Sequence, residues 1–250
     1  MNRSVSFLVG CLVSTMLLGT VTAHAQLIDQ TFDGFPAGSP PGSPWFTWGT
    51  AGTTLVDDVV FRGAGGNSLA IERQLFDGSF FAAGRGFTPL VDVTEVVYYF
   101  MLSGPTTREG MSFFGRDSSD NTVAWWVAHG GYYGNAVGTF SDSQNWTHIM
   151  DVVNDTWYGV HLVIDPVAFT YDITVWEDEN PTNTSTVTGL AFRNGSAADA
   201  VDELQIGDFH PGFVGEERYA YLDDLFLIGP VVFADDFESG NAFAWSNMDP

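Results

Sequence analysis

Trp157-Tyr158-Gly159-Val160-His161-Leu162-Val163-Ile164-Asp165-Pro166 is the stretch that decides the fold. Tyr158, Val160, Leu162 and Ile164 fall on one side of an extended chain. Trp157, Gly159, His161 and Val163 fall on the other, which is the period of a half-buried strand. Asp165-Pro166 then turns the chain, because proline presets one backbone angle and aspartate can bond its own following N–H groups. Alternation resumes at Thr170, with Tyr171, Ile173 and Val175 against Asp172, Thr174 and Trp176. Two alternating runs around an Asp-Pro turn predict a long hairpin with one strongly apolar face.

The same punctuation extends in both directions. Short apolar or alternating runs lie between clusters of Gly, Pro, Asn, Asp and Ser. Expected strands are 27–32, 45–48, 54–61, 68–73, 80–85, 95–102, 111–116, 122–129, 146–153, 157–164, 170–176, 186–192, 203–206 and 219–228. No window keeps a helical period, and 196–204 offers a helical turn at most. Many short strands at regular spacing predict an all-β sandwich or barrel.

The first residues do not belong to that pattern. Arg3 gives a positive start, 7–18 is mostly apolar, and Ala23-His24-Ala25 supplies small residues where a signal peptidase reads. Residues 1–25 are expected to be a signal peptide, cut before Gln26. The apolar run is short for a bilayer span. The only cysteine, Cys11, leaves with it, so the exported chain is held by its core, or by a core and an ion, rather than by disulfides. All 31 acidic residues remain, against seven arginines and no lysine, for a mature net charge of −24. A chain so acidic repels nucleic acid and anionic lipid, and among glycans it favours neutral ones over sulfated or uronate polymers. Its aromatic content of 15% sets it apart from a disordered acidic segment.

Three stretches together carry a resemblance. The hairpin quoted above, with Phe169-Thr170-Tyr171-Asp172-Ile173-Thr174-Val175, resembles one common in concanavalin A-like (laminin-G-like) jelly rolls. Phe32-Asp33-Gly34-Phe35-Pro36-Ala37-Gly38-Ser39-Pro40-Pro41 is similar to the opening of many secreted bacterial members, and Leu222-Asp223-Asp224-Leu225 to their closing strand. The resemblance implies a jelly-roll β-sandwich of two antiparallel sheets over 26–230, with the closing strand returning beside the first. Residues 231–250 then form a tail. Phe233-Ala234-Asp235-Asp236-Phe237-Glu238-Ser239-Gly240 resembles a terminal segment of exported Gram-negative proteins, which implies periplasm, outer surface or medium. The fold alone does not choose a function.

Two groups of residues are candidates for a site. The resemblance implies a structural calcium where the first and last strands meet. Asp33, Asp223 and Asp224 are its candidate ligands, since calcium takes several carboxylate and carbonyl oxygens. Alternation sends Asp223 and Asp224 to opposite faces and leaves open which points inward. The plainer expectation is that one Asp is exposed and the other caps a turn or meets an arginine such as Arg218. The second group is aromatic: Trp125 and Trp126 in one strand, Tyr132 and Tyr133 in the loop after it, and Trp146 beyond the next. Sugar rings stack on such side chains, though large aromatics also fill sandwich cores. Only one of Trp125 and Trp126 can face a groove, and the sequence does not say which.

Catalytic signatures do not stand out. A retaining glycosidase of this fold would carry acids alternating along one strand, and none is found. His129, His161, Arg116, Tyr132 and Tyr133 form no motif of a polysaccharide lyase, and a strand histidine is usually structural. Three functions therefore remain open: a lectin-like module binding extracellular carbohydrate without catalysis, a divergent polysaccharide hydrolase or lyase, and a surface adhesion or matrix protein.

Overall fold

The computed structural model describes residues 25–48, 52–73, 81–103, 109–116, 122–130, 135–141, 145–198, 200–208 and 218–229. The expected signal segment up to residue 24, Tyr132, Tyr133 and the expected tail 231–250 lie outside them. Fifteen strands run through the described residues. They are β1 (Ala25–Gln30), β2 (Trp45–Trp48), β3 (Gly52–Asp57), β4 (Ser68–Arg73), β5 (Phe81–Leu90), β6 (Thr94–Ser103), β7 (Glu109–Arg116) and β8 (Thr122–Gly130). There follow β9 (Asn135–Ser141), β10 (Asn145–Asp151), β11 (Trp157–Asp165), β12 (Thr170–Glu177), β13 (Thr184–Ala191), β14 (Val201–Asp208) and β15 (Arg218–Gly229). A 3-10 turn at Gly195–Ala197 is the one helical element among the described residues.

The expected hairpin is β11–β12, paired from Tyr158–Glu177 to Asp165–Thr170. Its turn closes as the residue types predict. Asp165 Oδ1 accepts the N–H groups of Val167 and Ala168, both at 2.9 Å, and Phe169 takes the left-handed conformation at φ 56°. Tyr158, Val160, Leu162, Ile164, Tyr171, Ile173 and Val175 are all buried, the face the alternation assigns to the core.

The strands form two antiparallel sheets. The eight-stranded sheet runs β13-β12-β11-β6-β15-β4-β3, with β1 also paired to β15; the seven-stranded sheet runs β10-β9-β8-β7-β14-β5-β2. Val96, Tyr98, Phe100, Leu162 and Ile173 from the first meet Ala83, Val137, Leu204, Ile206 and Met150 from the second in one core. Each fully buried large apolar side chain contributes about 1.5–3 kcal/mol.

Strand β15 does return beside β1, from Ala25–Gly229 to Gln30–Leu225. It is longer than its neighbours and changes partner along its length. Arg218 to Leu222 pair with β4, and the residues from Leu225 onward pair with β1. The change falls at Asp223 and Asp224, where the register with β6 also shifts and Asp224 adopts φ 46°. Phe32, at φ 62° and fully buried, follows β1 into this seam.

One strand was not anticipated. Asn135–Ser141 is β9, paired to both β8 and β10. Its central Gly138 reads as a loop residue, yet Trp146 of β10 lies where its side chain would be: a Cβ there would meet the indole at 2.2 Å. The neighbour thus supplies the packing that the glycine does not, a device by which aromatic residues rescue glycines in sheets. Several ends also move, most of all in β5, which runs to Leu90 rather than residue 85.

Candidate functional site

The first candidate is the acidic seam. Asp223 is 4% exposed; it is opposite Tyr99 and so lies on the outer side of the eight-stranded sheet, buried beneath the loop that carries Arg62, and not in the core. Its Oδ1 accepts the Asp224 N–H at 2.8 Å and its Oδ2 the Arg62 N–H at 3.0 Å. Burial pushes its carboxyl up to about 7; those two hydrogen bonds work against the shift, while the charges of Asp224 and Asp33 add to it. Asp33 is exposed and its Oδ1 accepts the Asn67 N–H at 2.7 Å. A side chain at Gly66 would strike that carboxylate, its Cβ only 2.7 Å from Oδ1.

Asp224 meets the same residue through its side chain: its arginine partner is Arg62 rather than Arg218, and the left-handed turn at Asp224 breaks the alternation that would have sent the two acids to opposite faces. Arg62 Nη1 donates to Asp224 Oδ2 at 2.6 Å, while its Nε and Nη2 make a fork to Asp178 at 2.9 and 2.8 Å. The guanidinium lies 3.6 Å from the centre of the Tyr99 ring. Burial opposes its charge, but the bonds to Asp178 and Asp224 prevail and hold the pKa above the ordinary arginine value. Charge-assisted forks of this kind are both strong and directional.

Calcium would therefore find two carboxylates here, Asp33 and Asp223, with Asp224 already neutralised. No group of three or more acidic, histidine or cysteine side chains among the described residues is arranged to hold a metal. The donor set fits calcium only if backbone carbonyls or water complete the shell, as hard cations allow. A buried carboxylate with a raised pKa is also the group that a cation would relieve.

The second candidate is the outer face of the seven-stranded sheet. Residues directly opposite one another in an antiparallel pair share a face. Trp126 is opposite Phe113 and Thr139, and Phe113 is opposite Ile206, itself opposite Ala83. Ile206 and Ala83 are core residues, so Trp126 occupies a core row. Trp125 is opposite Phe114, and that row continues through Gln205 and Gly84 to Phe46. The pair left open by alternation is thus resolved by register: Trp125 belongs to the outer row.

Two aromatic residues stand near the ends of this outer face. Phe46 of β2 lies on Gly84, where a Cβ would come within 2.5 Å of the ring, and half-buried Trp146 of β10 lies on Gly138. Between them Gln205, 1% exposed, donates through Nε2 to Glu203 Oε1. Of the expected aromatic set, Trp146 lies on the outer face, Trp125 and Trp126 are placed by strand register alone, and Tyr132 and Tyr133 lie outside the described residues. Phe46, Gly84, Gly138, Glu203 and Gln205 were missed. The glycines gave the available signal, since a glycine inside a strand often marks a close approach.

Two histidines have charged neighbours among the described residues. His161 Nε2 lies 2.8 Å from Glu95 Oε2 on the outer side of the eight-stranded sheet, and exposed His148 lies 2.9 Å from Asp151 Oδ1.

No family model matches the sequence. No curated protein matches it either. Solved structures match its chain path. The lectin UEA-II complexed with galactose gives a TM-score of 0.54 at 11% identity, over 81% of this chain and 98% of that one. The marine PL-14 alginate lyase from Aplysia kurodai gives 0.51 at 11% identity, over 75% and 91%. A sialidase gives 0.59 at 10% identity over 92% of this chain but 21% of its own, so the chain spans about a fifth of that protein. Likeness at such identities speaks for the fold and not for the chemistry. The fold is the concanavalin A-like jelly roll.

Proposed function

We propose that this chain is an exported, lectin-like module that binds neutral extracellular carbohydrate, without turnover, on the outer face of its seven-stranded sheet. The observation that carries the reading is the arrangement of that face. Rings of Phe46 and Trp146 sit on strand glycines near its two ends, and the polar pair Glu203–Gln205 lies between. Rings supply stacking surfaces, and the half-buried carboxylate of Glu203, held by buried Gln205, supplies a hydrogen-bond acceptor for hydroxyls. The net charge of −23, or −24 once Arg3 is removed, directs the choice to neutral glycans. One fold neighbour is a lectin complexed with galactose. Calcium at Asp33 and Asp223 is part of the proposal as a structural ion.

A glycan-array screen of the exported protein, run in calcium and in chelator, tests the reading. Capture of one or more neutral glycans is the expected result, with uronate and sulfated polymers rejected. A protein that is folded yet captures no glycan in either condition contradicts it, and favours the surface-protein function instead.

A further inference from the structure

Phe46 does more than cover Gly84. It forms a wall of a cavity of about 190 Å³ lined also by Pro40, Pro41, Trp45 and Thr47. The cavity sits at the β2 edge of the seven-stranded sheet. Its walls are held from below. Trp45 Nε1 donates to Gln30 Oε1 at 3.3 Å, and Arg85 Nη1 donates to the same oxygen at 3.1 Å. The Trp45 ring also packs at 5.4 Å from the ring of buried Phe32. The strand that carries Phe46 is thus tied to β1 and β5 before any ligand arrives, which lowers the ordering cost of binding.

The other ring lies at a definite remove. Gly84 on β5 and Gly138 on β9 are four strands apart in the sheet order. Gly138 is also two residues along from the row of Gly84, because Gly84 shares a row with Trp125 and Gly138 is opposite Val127. At the usual strand spacing and rise this separates the two rings by about 20 Å, the length of about four pyranose units in an extended chain. Half-buried Glu203 on β14 falls within that span, its carboxylate held by buried Gln205.

We infer that the Pro40–Pro41–Phe46–Thr47 cavity is a sugar subsite at one end of a track that crosses the strands to Trp146, so that the ligand is a neutral glycan chain of about four units with a terminal unit in that cavity. The inference rests on the carbohydrate reading above and adds to it the direction, length and end point of the ligand. A cavity of this volume takes one sugar ring. The acidic surface and the carboxylate of Glu203 keep the class neutral.

The test uses the full exported protein and two size ladders, β-1,4-linked gluco-oligosaccharides and xylo-oligosaccharides of one to six units, titrated by calorimetry. Affinity for at least one ladder is expected to climb up to about four units and then level off. The F46L variant keeps an apolar filler over Gly84 but removes the ring. It is expected to weaken binding of the four-unit chain by about tenfold. The length dependence is read on wild type, so it survives any folding defect of the variant. Affinity already complete at one or two units, or wild-type affinity in folded F46L, overturns the track. So does array capture of some other neutral glycan with neither ladder bound. Each of those leaves the carbohydrate reading intact, whereas an array with no glycan captured removes both.

Discussion

The outer faces of the two sheets use the same local device to different ends. On the eight-stranded sheet Trp176 lies on Gly159, where a Cβ would meet its indole at 2.1 Å. That ring is then met edge-on by Tyr99 at 5.6 Å, and Tyr99 in turn carries the Arg62 guanidinium. Arg62 belongs to the loop between β3 and β4, and Val60 of the same loop packs on a small cluster of Ala70, Met101 and Tyr221. The loop is thus strapped over the sheet and pinned to Asp178 and Asp224. On the seven-stranded sheet Phe46 lies on Gly84 in the same way, and it also lines a cavity. An aromatic ring on a strand glycine is therefore a packing element beneath the Arg62 loop on one sheet and a wall of a candidate site on the other.

The largest effect should separate core from face within one dipeptide. Trp126→Ala removes a residue of the core row and is expected to cost about 3–5 kcal/mol. Trp125→Ala, in the outer row, should leave stability within about 1 kcal/mol and act on binding instead. Urea denaturation of the two variants checks the register directly; equal losses would mean that the rows are assigned wrongly.

Next comes the strap. Arg62→Ala strands Asp178 and Asp224 and uncovers Tyr99, at an expected cost of about 3 kcal/mol. Arg62→Lys keeps the charge but not the fork and should recover less than half of that. Glycan affinity is expected to be unaffected in both, because the strap lies on the other sheet. A strap variant that loses binding while folded would join the two faces and break the comparison.

The seam adds a pH effect of similar but smaller size. The folded-state carboxyl of Asp223 sits at about 7, well above its ordinary value of 3.8. A raised pKa means that its contribution is fully present below the unfolded pKa and is lost as pH rises toward 7. In chelator, stability should therefore fall by about 2–3 kcal/mol between pH 5 and pH 8, and Asp223→Asn should flatten that slope. Calcium at a hundredfold excess over its dissociation constant would restore about 2.7 kcal/mol at the alkaline end if Asp33 and Asp223 hold it. Thermal melts with and without calcium, in wild type and Asp33→Ala, read this; identical curves in all four count against the ion.

The smallest stability effect sharpens the comparison most. Gly159→Ala forces a Cβ into a ring that Tyr99 blocks, and should cost about 2 kcal/mol. Gly84→Ala forces one into Phe46, which has the cavity to move into, and should cost about 1 kcal/mol or less. The reverse order in a denaturation series would mean that Phe46 is the ring held in place.

Local pattern carried most of the fold. The hairpin at 157–176 was legible because alternation, an Asp-Pro turn and β-branched residues agree in one stretch. Strand β9 was not, because Gly138 breaks its pattern and the ring that compensates is on another strand. The seam was half legible: the pairing of β1 with β15 follows from the closing strand, and with it the approach of Asp33 to Asp223. Arg62 was out of reach. Its partners Asp178 and Asp224 lie 116 and 162 residues away, and nothing near any of the three announces the fork. For the same reason the outer row of Phe46, Gly84, Gln205, Phe114 and Trp125 is invisible in the chain, since it exists only once five strands of distant sequence are laid side by side.

The central claim is that ligand meets the seven-stranded face and not the strapped one. The direct measurement is the affinity of Trp146→Ala beside Trp176→Ala, for the neutral glycan that wild type captures best on the array. Both substitutions remove an indole from a strand glycine, one on each sheet. The account predicts about tenfold or greater weakening in Trp146→Ala and wild-type affinity in Trp176→Ala, with both proteins folded. Wild-type affinity in Trp146→Ala together with loss in Trp176→Ala would place the ligand on the other sheet and contradict it.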